Sequence, residues 1–210
     1  MNFFGHACLA AEVRREAAFV FGAMLPDLAS MAGLRIASIA HAETDAGRRF
    51  HFATDAAFHR AEGFRSLCST ATRALAAAGL RRGPARAIGH VGIELLLDGW
   101  LASEQGVPAL YAEALELTPA LSPSLVFRPG SDAAPLVELC QRIAAAPLTP
   151  DLWCEPERLA ARLVRMLARR PLLALQASEL AAVRAWAASA RDEIARAAPA
   201  LLAELRAELA

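Results

Sequence analysis

Apolar positions recur with a period near 3.6 along almost the whole chain, and no stretch shows the period-two alternation of a half-buried strand. The pattern predicts an all-α protein. Asn2 can cap a first helix over Phe3 to Val13. A second runs from Glu16 to Leu25, where Pro26 ends or kinks it and aims Asp27 off the break. The segment from Gly33 to Gly47 is ambiguous. A helix then covers Arg48 to Glu62, and Gly63 separates it from a continuation towards Ala78. Gly79 to Pro84 reads as a turn, with Pro84 in the first turn of a helix that runs from Ala85 to Ser103.

Thr118 to Gly130 carries Pro119, Pro123, Pro129 and Gly130 and reads as a loop. Helical segments follow near Ala133–Ala145, Glu157–Arg169 and Glu179–Ala197, then a short tail; Pro147, Pro150, Pro156, Pro171 and Pro199 punctuate them. The 210 residues thus read as a single all-α domain. All five histidines lie within the first 90 residues, so residues 1–105 are expected to carry the chemistry and residues 106–210 to support them.

Composition narrows the possible functions. Lys+Arg and Asp+Glu are both 22, a balance without the basic excess that generic nucleic-acid binding or an anionic membrane surface would favour. Every basic residue is Arg, which excludes lysine Schiff-base chemistry and a P-loop lysine. Cysteines 8, 68, 140 and 154 show no CxxC spacing and are expected to be reduced core thiols. The uncharged run from Ala17 to Leu25 is far short of the ~20 residues that span a bilayer. No targeting segment is legible, so a soluble, cytoplasmic protein without integral membrane association is expected.

Three groups of residues can carry chemistry. In Arg48-Arg49-Phe50-His51-Phe52-Ala53-Thr54-Asp55-Ala56-Ala57-Phe58-His59, the residues His51, Asp55 and His59 stand at i, i+4 and i+8 on one helical face. Imidazole and carboxylate together suit Zn²⁺, Mn²⁺ or Fe²⁺; the plainer reading is a salt-bridged surface stripe. His90, Glu94 and Asp98 repeat that spacing among Ile88, Val91, Ile93, Leu95, Leu96, Leu97, Trp100 and Leu101. A helix apolar nearly all round is buried, and buried carboxylates are costly unless paired or metal-bound. A polar surface row is the alternative. His6 and Asp27 are each the only ionisable group of an apolar run; singly they read as a core histidine and a helix cap, but together with the other two groups they can converge on a bundle core. His41 reads as a solvent-facing loop residue.

Met1-Asn2-Phe3-Phe4-Gly5-His6, then Gly22-Ala23-Met24-Leu25-Pro26-Asp27-Leu28, then Arg48-Arg49-Phe50 leading to Thr54-Asp55, resemble the acyl carrier protein phosphodiesterase family. That family is an all-α, divergent relative of the HD-domain metal phosphohydrolases. The resemblance spans roughly residues 1–105 in short motifs, with His51 standing where the family usually has Asp. It implies an HD-domain-like helical bundle with additional C-terminal helices, and metal-dependent hydrolysis of a phosphodiester. In the best-known members the reaction removes phosphopantetheine from acyl carrier protein. By match to the motifs, His6, Asp27 and Asp55 would be metal-site or catalytic residues, and Arg48 or Arg49 would contact phosphate.

The combined reading takes His6, Asp27, His51, Asp55, His90 and Glu94 as ligands of a divalent ion, whether Mn²⁺, Zn²⁺, Fe²⁺ or Mg²⁺. His59 or Asp98 would serve in proton transfer or behind the ligands, and Arg49 at the phosphate. The alternative is a non-enzymatic helical binding or scaffold protein with a degenerate or structural metal site. A di-iron oxidase would want paired Glu-x-x-His motifs, and none occurs.

Overall fold

A computed structural model describes residues 1–128, 130–146, 149, 155–168 and 170–209. It is all-α apart from one two-stranded sheet. In chain order the elements are α1 (Phe3–Val13), α2 (Ala17–Met31), β1 (Ile36–Ile39), α3 (Ala42–Arg60), α4 (Glu62–Ala77), α5 (Arg82–Glu104), α6 (Ala109–Glu116), α7 (Thr118–Leu121), β2 (Leu125–Phe127), α8 (Ala134–Ala145), α9 (Pro156–Ala168) and α10 (Leu180–Leu209). Among the described residues, no helix is long and apolar enough to cross a membrane. Cys154 lies outside the described residues; Cys8 and Cys140 are buried, and Cys68 and Cys140 are free thiols.

The chain divides into two compact units, but not at residue 105. One unit joins Met1–Ala56 to Gly106–Leu148, and the other joins Ala57–Gln105 to Thr149–Ala210. Each therefore pairs a histidine-bearing segment with a histidine-free one.

In the first unit α1 packs along α2, α6 lies against both, and α8 closes on α6 and α2. Its core is built on Phe4, Phe21, Met24 and Leu25, all fully buried, with Tyr111 edge-on to Phe4 at 5.3 Å. β1 and β2 pair antiparallel, Ile36 opposite Phe127 and Ile39 opposite Leu125, with an irregularity between Ile36 and Ser38. Strands of four and three residues are too short to show alternation, which is why periodicity leaves the first inside an ambiguous segment and the second inside a loop.

In the second unit α4 and α5 form an antiparallel-type pair across the tight turn at Gly79, and α10 packs on both and on α9. The apolar character of α5 is expressed as burial of Ile88, Ile93, Leu95, Leu96, Leu97 and Leu101.

Two helices run beyond the ends that the pattern gives them, through prolines. Pro26 sits inside α2, which continues to Met31, and Pro199 sits inside α10, which continues to Leu209. In both, buried residues follow the proline (Leu28 and Ala29; Leu201, Leu202 and Leu205), so tertiary packing holds the helix past the missing N–H. His41 also departs from a plain loop role: its Nδ1 accepts from the Thr44 amide at 3.3 Å, capping the start of α3.

Candidate functional site

In the first unit the site begins with a helix crossing. A Cβ added to Gly22 on α2 would lie 2.1 Å from the main-chain oxygen of Thr44, and one added to Gly47 on α3 would lie 2.0 Å from that of Phe19. Neither position admits a side chain, so the two backbones touch. Ala23 follows Gly22, and His51 stands one helical turn beyond Gly47. The crossing brings them together, and His51 Nδ1 donates to Ala23 O at 2.8 Å. A carbonyl only accepts, so the proton is on Nδ1 and Nε2 keeps its lone pair.

His6 from α1 is held in the same tautomer by a different device. The Thr54 hydroxyl donates to the main-chain oxygens of Phe50 and His51, at 3.0 and 2.9 Å, and so accepts from His6 Nδ1 at 2.8 Å. The two imidazole rings lie 3.9 Å apart, centroid to centroid. Asp27 completes the group: His6, Asp27 and His51 offer one donor atom each, all within 4.8 Å of one another. Burial pushes the His51 pKa down against the opposing hydrogen bond to Ala23 and the charge of Asp55, which favours the neutral ring a metal requires.

The remaining candidates of this unit stand around that group. Asp55 is not one of the three converging donors. Its Oδ1 accepts from the Met1 ammonium at 3.2 Å and lies 3.8 Å from His6 Nε2. Arg48 bonds Asp45 at 2.8 and 3.0 Å, and Arg49, largely exposed, bonds the same carboxylate, whose pKa these guanidiniums lower. A cavity of about 190 Å³ is lined by Pro26, Arg35, Arg48 and Phe52, the neighbours in sequence of Asp27 and His51 among them.

The second unit holds a tighter group. His59 Nε2, His90 Nε2 and Glu94 Oε1 form a triangle with sides of 3.2, 3.3 and 3.5 Å. Phe64 stands edge-to-face against both imidazoles, at 5.3 Å from His59 and 5.2 Å from His90, while the two imidazoles stack at 5.0 Å. Glu94 is 8% exposed. Burial works against its charge, but hydrogen bonding from His59 and His90 outweighs burial and holds the carboxyl well below the usual range. Asp98, one turn further along α5 and fully buried, does not join these donors.

A larger cavity, about 690 Å³, opens beside this group and is lined by Cys68, Ser69, Thr72, Arg73, Arg86 and His90 among others. Gly89 lets α5 approach α4 here, since a Cβ would meet Thr72 Oγ1 at 2.7 Å. Burial and the charge of Glu94 push the Cys68 thiol up to about 12, so it is not a nucleophile at neutral pH.

The i, i+4, i+8 rows of the sequence are thus divided. His51 joins His6 and Asp27, and His59 joins His90 and Glu94. His59, expected in proton transfer, is a donor of the second group, whereas Asp55 and Asp98 stand outside both. Thr54, Gly22, Gly47 and Phe64 were not legible as site residues. Two of them, Gly22 and Thr54, stand within the motifs of the resemblance, which gives neither a role.

Both donor sets fit a divalent transition metal. Each is two imidazoles and one carboxylate, and in the first the ring nitrogens opposite the donors are already engaged, as they are in metal-ligating histidines. No family model, curated protein or solved structure matches the chain.

Proposed function

We propose that the protein is a metal-dependent phosphohydrolase acting on a phosphodiester, the activity that the likeness of its N-terminal motifs to the acyl carrier protein phosphodiesterases implies. The observation that carries the reading is the shared tautomer of His6 and His51, which turns two lone-pair nitrogens towards Asp27. These three residues would hold the ion. The chemistry such an ion would supply is Lewis-acid polarisation of a phosphoryl oxygen and a lowered pKa for water.

The chain's own residues supply the rest. Ala23 O and Thr54 fix the ring orientations, so no reorganisation is needed when substrate arrives. Arg35 and Arg48 line the adjoining cavity and would receive the phosphoryl oxygens. Asp45, shared by Arg48 and Arg49, aims the Arg48 guanidinium while leaving the trio with net positive charge. Asp55, partly exposed beside His6, is placed to take up a proton. The free thiols of Cys68 and Cys140 support a reducing, cytoplasmic setting.

The test is an assay of chelator-stripped protein, reloaded with Mn²⁺, Zn²⁺, Fe²⁺ or Mg²⁺, on bis(4-nitrophenyl) phosphate and on phosphopantetheinylated acyl carrier protein. Turnover with at least one ion is expected, falling ~10³-fold or more in Asp27→Asn and His51→Ala. Full turnover in both variants overturns the reading. Metal-replete protein without turnover on any diester replaces it with a helical binding protein that keeps a structural ion.

A further inference from the structure

The triangle of the second unit has a metric of its own. Donors ~2.0–2.2 Å from a tetrahedral zinc ion stand ~3.3–3.6 Å from one another. His59 Nε2, His90 Nε2 and Glu94 Oε1 stand 3.2, 3.3 and 3.5 Å apart. Three side chains from two helices, His59 of α3 and His90 and Glu94 of α5, already hold this spacing, with the Phe64 ring of α4 against both imidazoles. Two imidazoles with one carboxylate suit zinc and its neighbours rather than the oxygen-only shells of Mg²⁺ or Ca²⁺. Three protein donors also leave one tetrahedral position for an exogenous ligand.

The side on which that ligand enters is marked by His90, which belongs both to the triangle and to the lining of the 690 Å³ cavity. Among the described residues the lining offers Arg73, Arg86, Ser69 and Thr72 and no carboxylate. Among the described residues neither Arg73 nor Arg86 forms an ion pair; Arg73 donates to Thr70 at 3.2 Å. A cavity of this size holds a small molecule rather than a bare ion.

We infer that His59, His90 and Glu94 hold a zinc-type ion of their own, with its fourth position presented to an anionic small molecule, phosphate- or carboxylate-bearing, taken up in the arginine-lined cavity. This site stands independently of the hydrolase reading, which rests on His6, Asp27 and His51.

The experiment uses the full chain, stripped and reloaded with Co²⁺ alone, whose visible bands are intense in tetrahedral sites and weak in octahedral ones. Wild type is expected to show the intense bands. His51→Ala, which removes a donor of the first group, is expected to keep them. Added to His51→Ala, Glu94→Gln, which keeps shape and removes charge, and His90→Ala are each expected to abolish them and to bind one ion fewer per chain by elemental analysis. Circular dichroism confirms that each variant is folded, and Glu94→Asp serves if Glu94→Gln is not. Inorganic phosphate is then titrated against the bands. It should perturb them, and Arg73→Gln with Arg86→Gln should weaken that response ~10-fold or more while leaving the Co²⁺ bands intact. Intense bands that survive Glu94→Gln and His90→Ala in the His51→Ala background, or no intense bands in His51→Ala, overturn the metal site. Bands unmoved by phosphate and by acetate overturn the anionic ligand. None of these readouts depends on turnover, so failure of the hydrolase assay is distinguishable from failure here.

Discussion

His51 Nδ1 reaches Ala23 O at 2.8 Å because Gly22 and Gly47, one residue and one turn away, let α2 and α3 touch. A hydrogen bond that sets the tautomer of a candidate ligand therefore depends on two absent side chains. Burial pushes His51 towards its neutral form, and the crossing decides which of its nitrogens faces His6 and Asp27.

Gly22→Ala and Gly47→Ala are expected to destabilise the fold by ~2–3 kcal/mol or more, since each new methyl would meet main-chain atoms that cannot rotate away. Urea denaturation gives the midpoint. A change below ~0.5 kcal/mol in both would mean the crossing relaxes freely and has no positioning role.

Thr54→Val keeps the volume and removes the hydroxyl that orients His6. Metal affinity of the His6–Asp27–His51 group is expected to drop ~10–100-fold, with Thr54→Ser restoring it. Calorimetric titration of stripped protein measures this. Undiminished affinity in the valine variant would show that His6 needs no such support.

A pH test falls on Glu179, far from either donor group in sequence. Its carboxylate accepts from the main-chain amides of Arg81 and Gln176 and from the Arg81 guanidinium, at 2.8 to 3.1 Å. The Arg81 hydrogen bonds outweigh burial and bring its pKa from 4.5 down to about 2. A carboxyl whose folded pKa is depressed contributes stability that is present above its unfolded value and lost as pH falls through its folded value. Wild type should therefore lose this contribution between pH 4.5 and about 2. Glu179→Gln should be less stable near neutrality by ~1–2 kcal/mol and show a flatter acid limb. Melting temperatures across that range decide it, and parallel limbs for the two proteins would mean the pair adds nothing.

Pattern alone made the helices legible where their apolar faces are long: the start and end of α1 were read to the residue, and α5, α8 and α9 to within three. It also singled out His6, Asp27, His51, His59, His90 and Glu94, because ligand-type side chains in apolar helices need a partner. It ended the second helix at Leu25 and the last near Ala197, short of Met31 and Leu209, because the local cost of Pro26 and Pro199 is outweighed by burial on the far side; the row His51, Asp55, His59 shares one face of α3 but divides between partners. Asp55 is turned to the Met1 ammonium instead, a contact between positions 54 residues apart that spacing within a helix does not encode.

What the sequence by itself determined is the helical class and the supply of donors, since both follow from local periodicity and from the chemistry of single side chains. Which donors meet was decided only by tertiary structure. The grouping of His51 with His6 depends on a glycine contact between α2 and α3, and that of His59 with His90 and Glu94 on the ring of Phe64 and the packing of α4 on α5. The physical reason is that a 3.6-residue repeat fixes the direction of a side chain about its own axis, whereas convergence depends on where neighbouring axes cross.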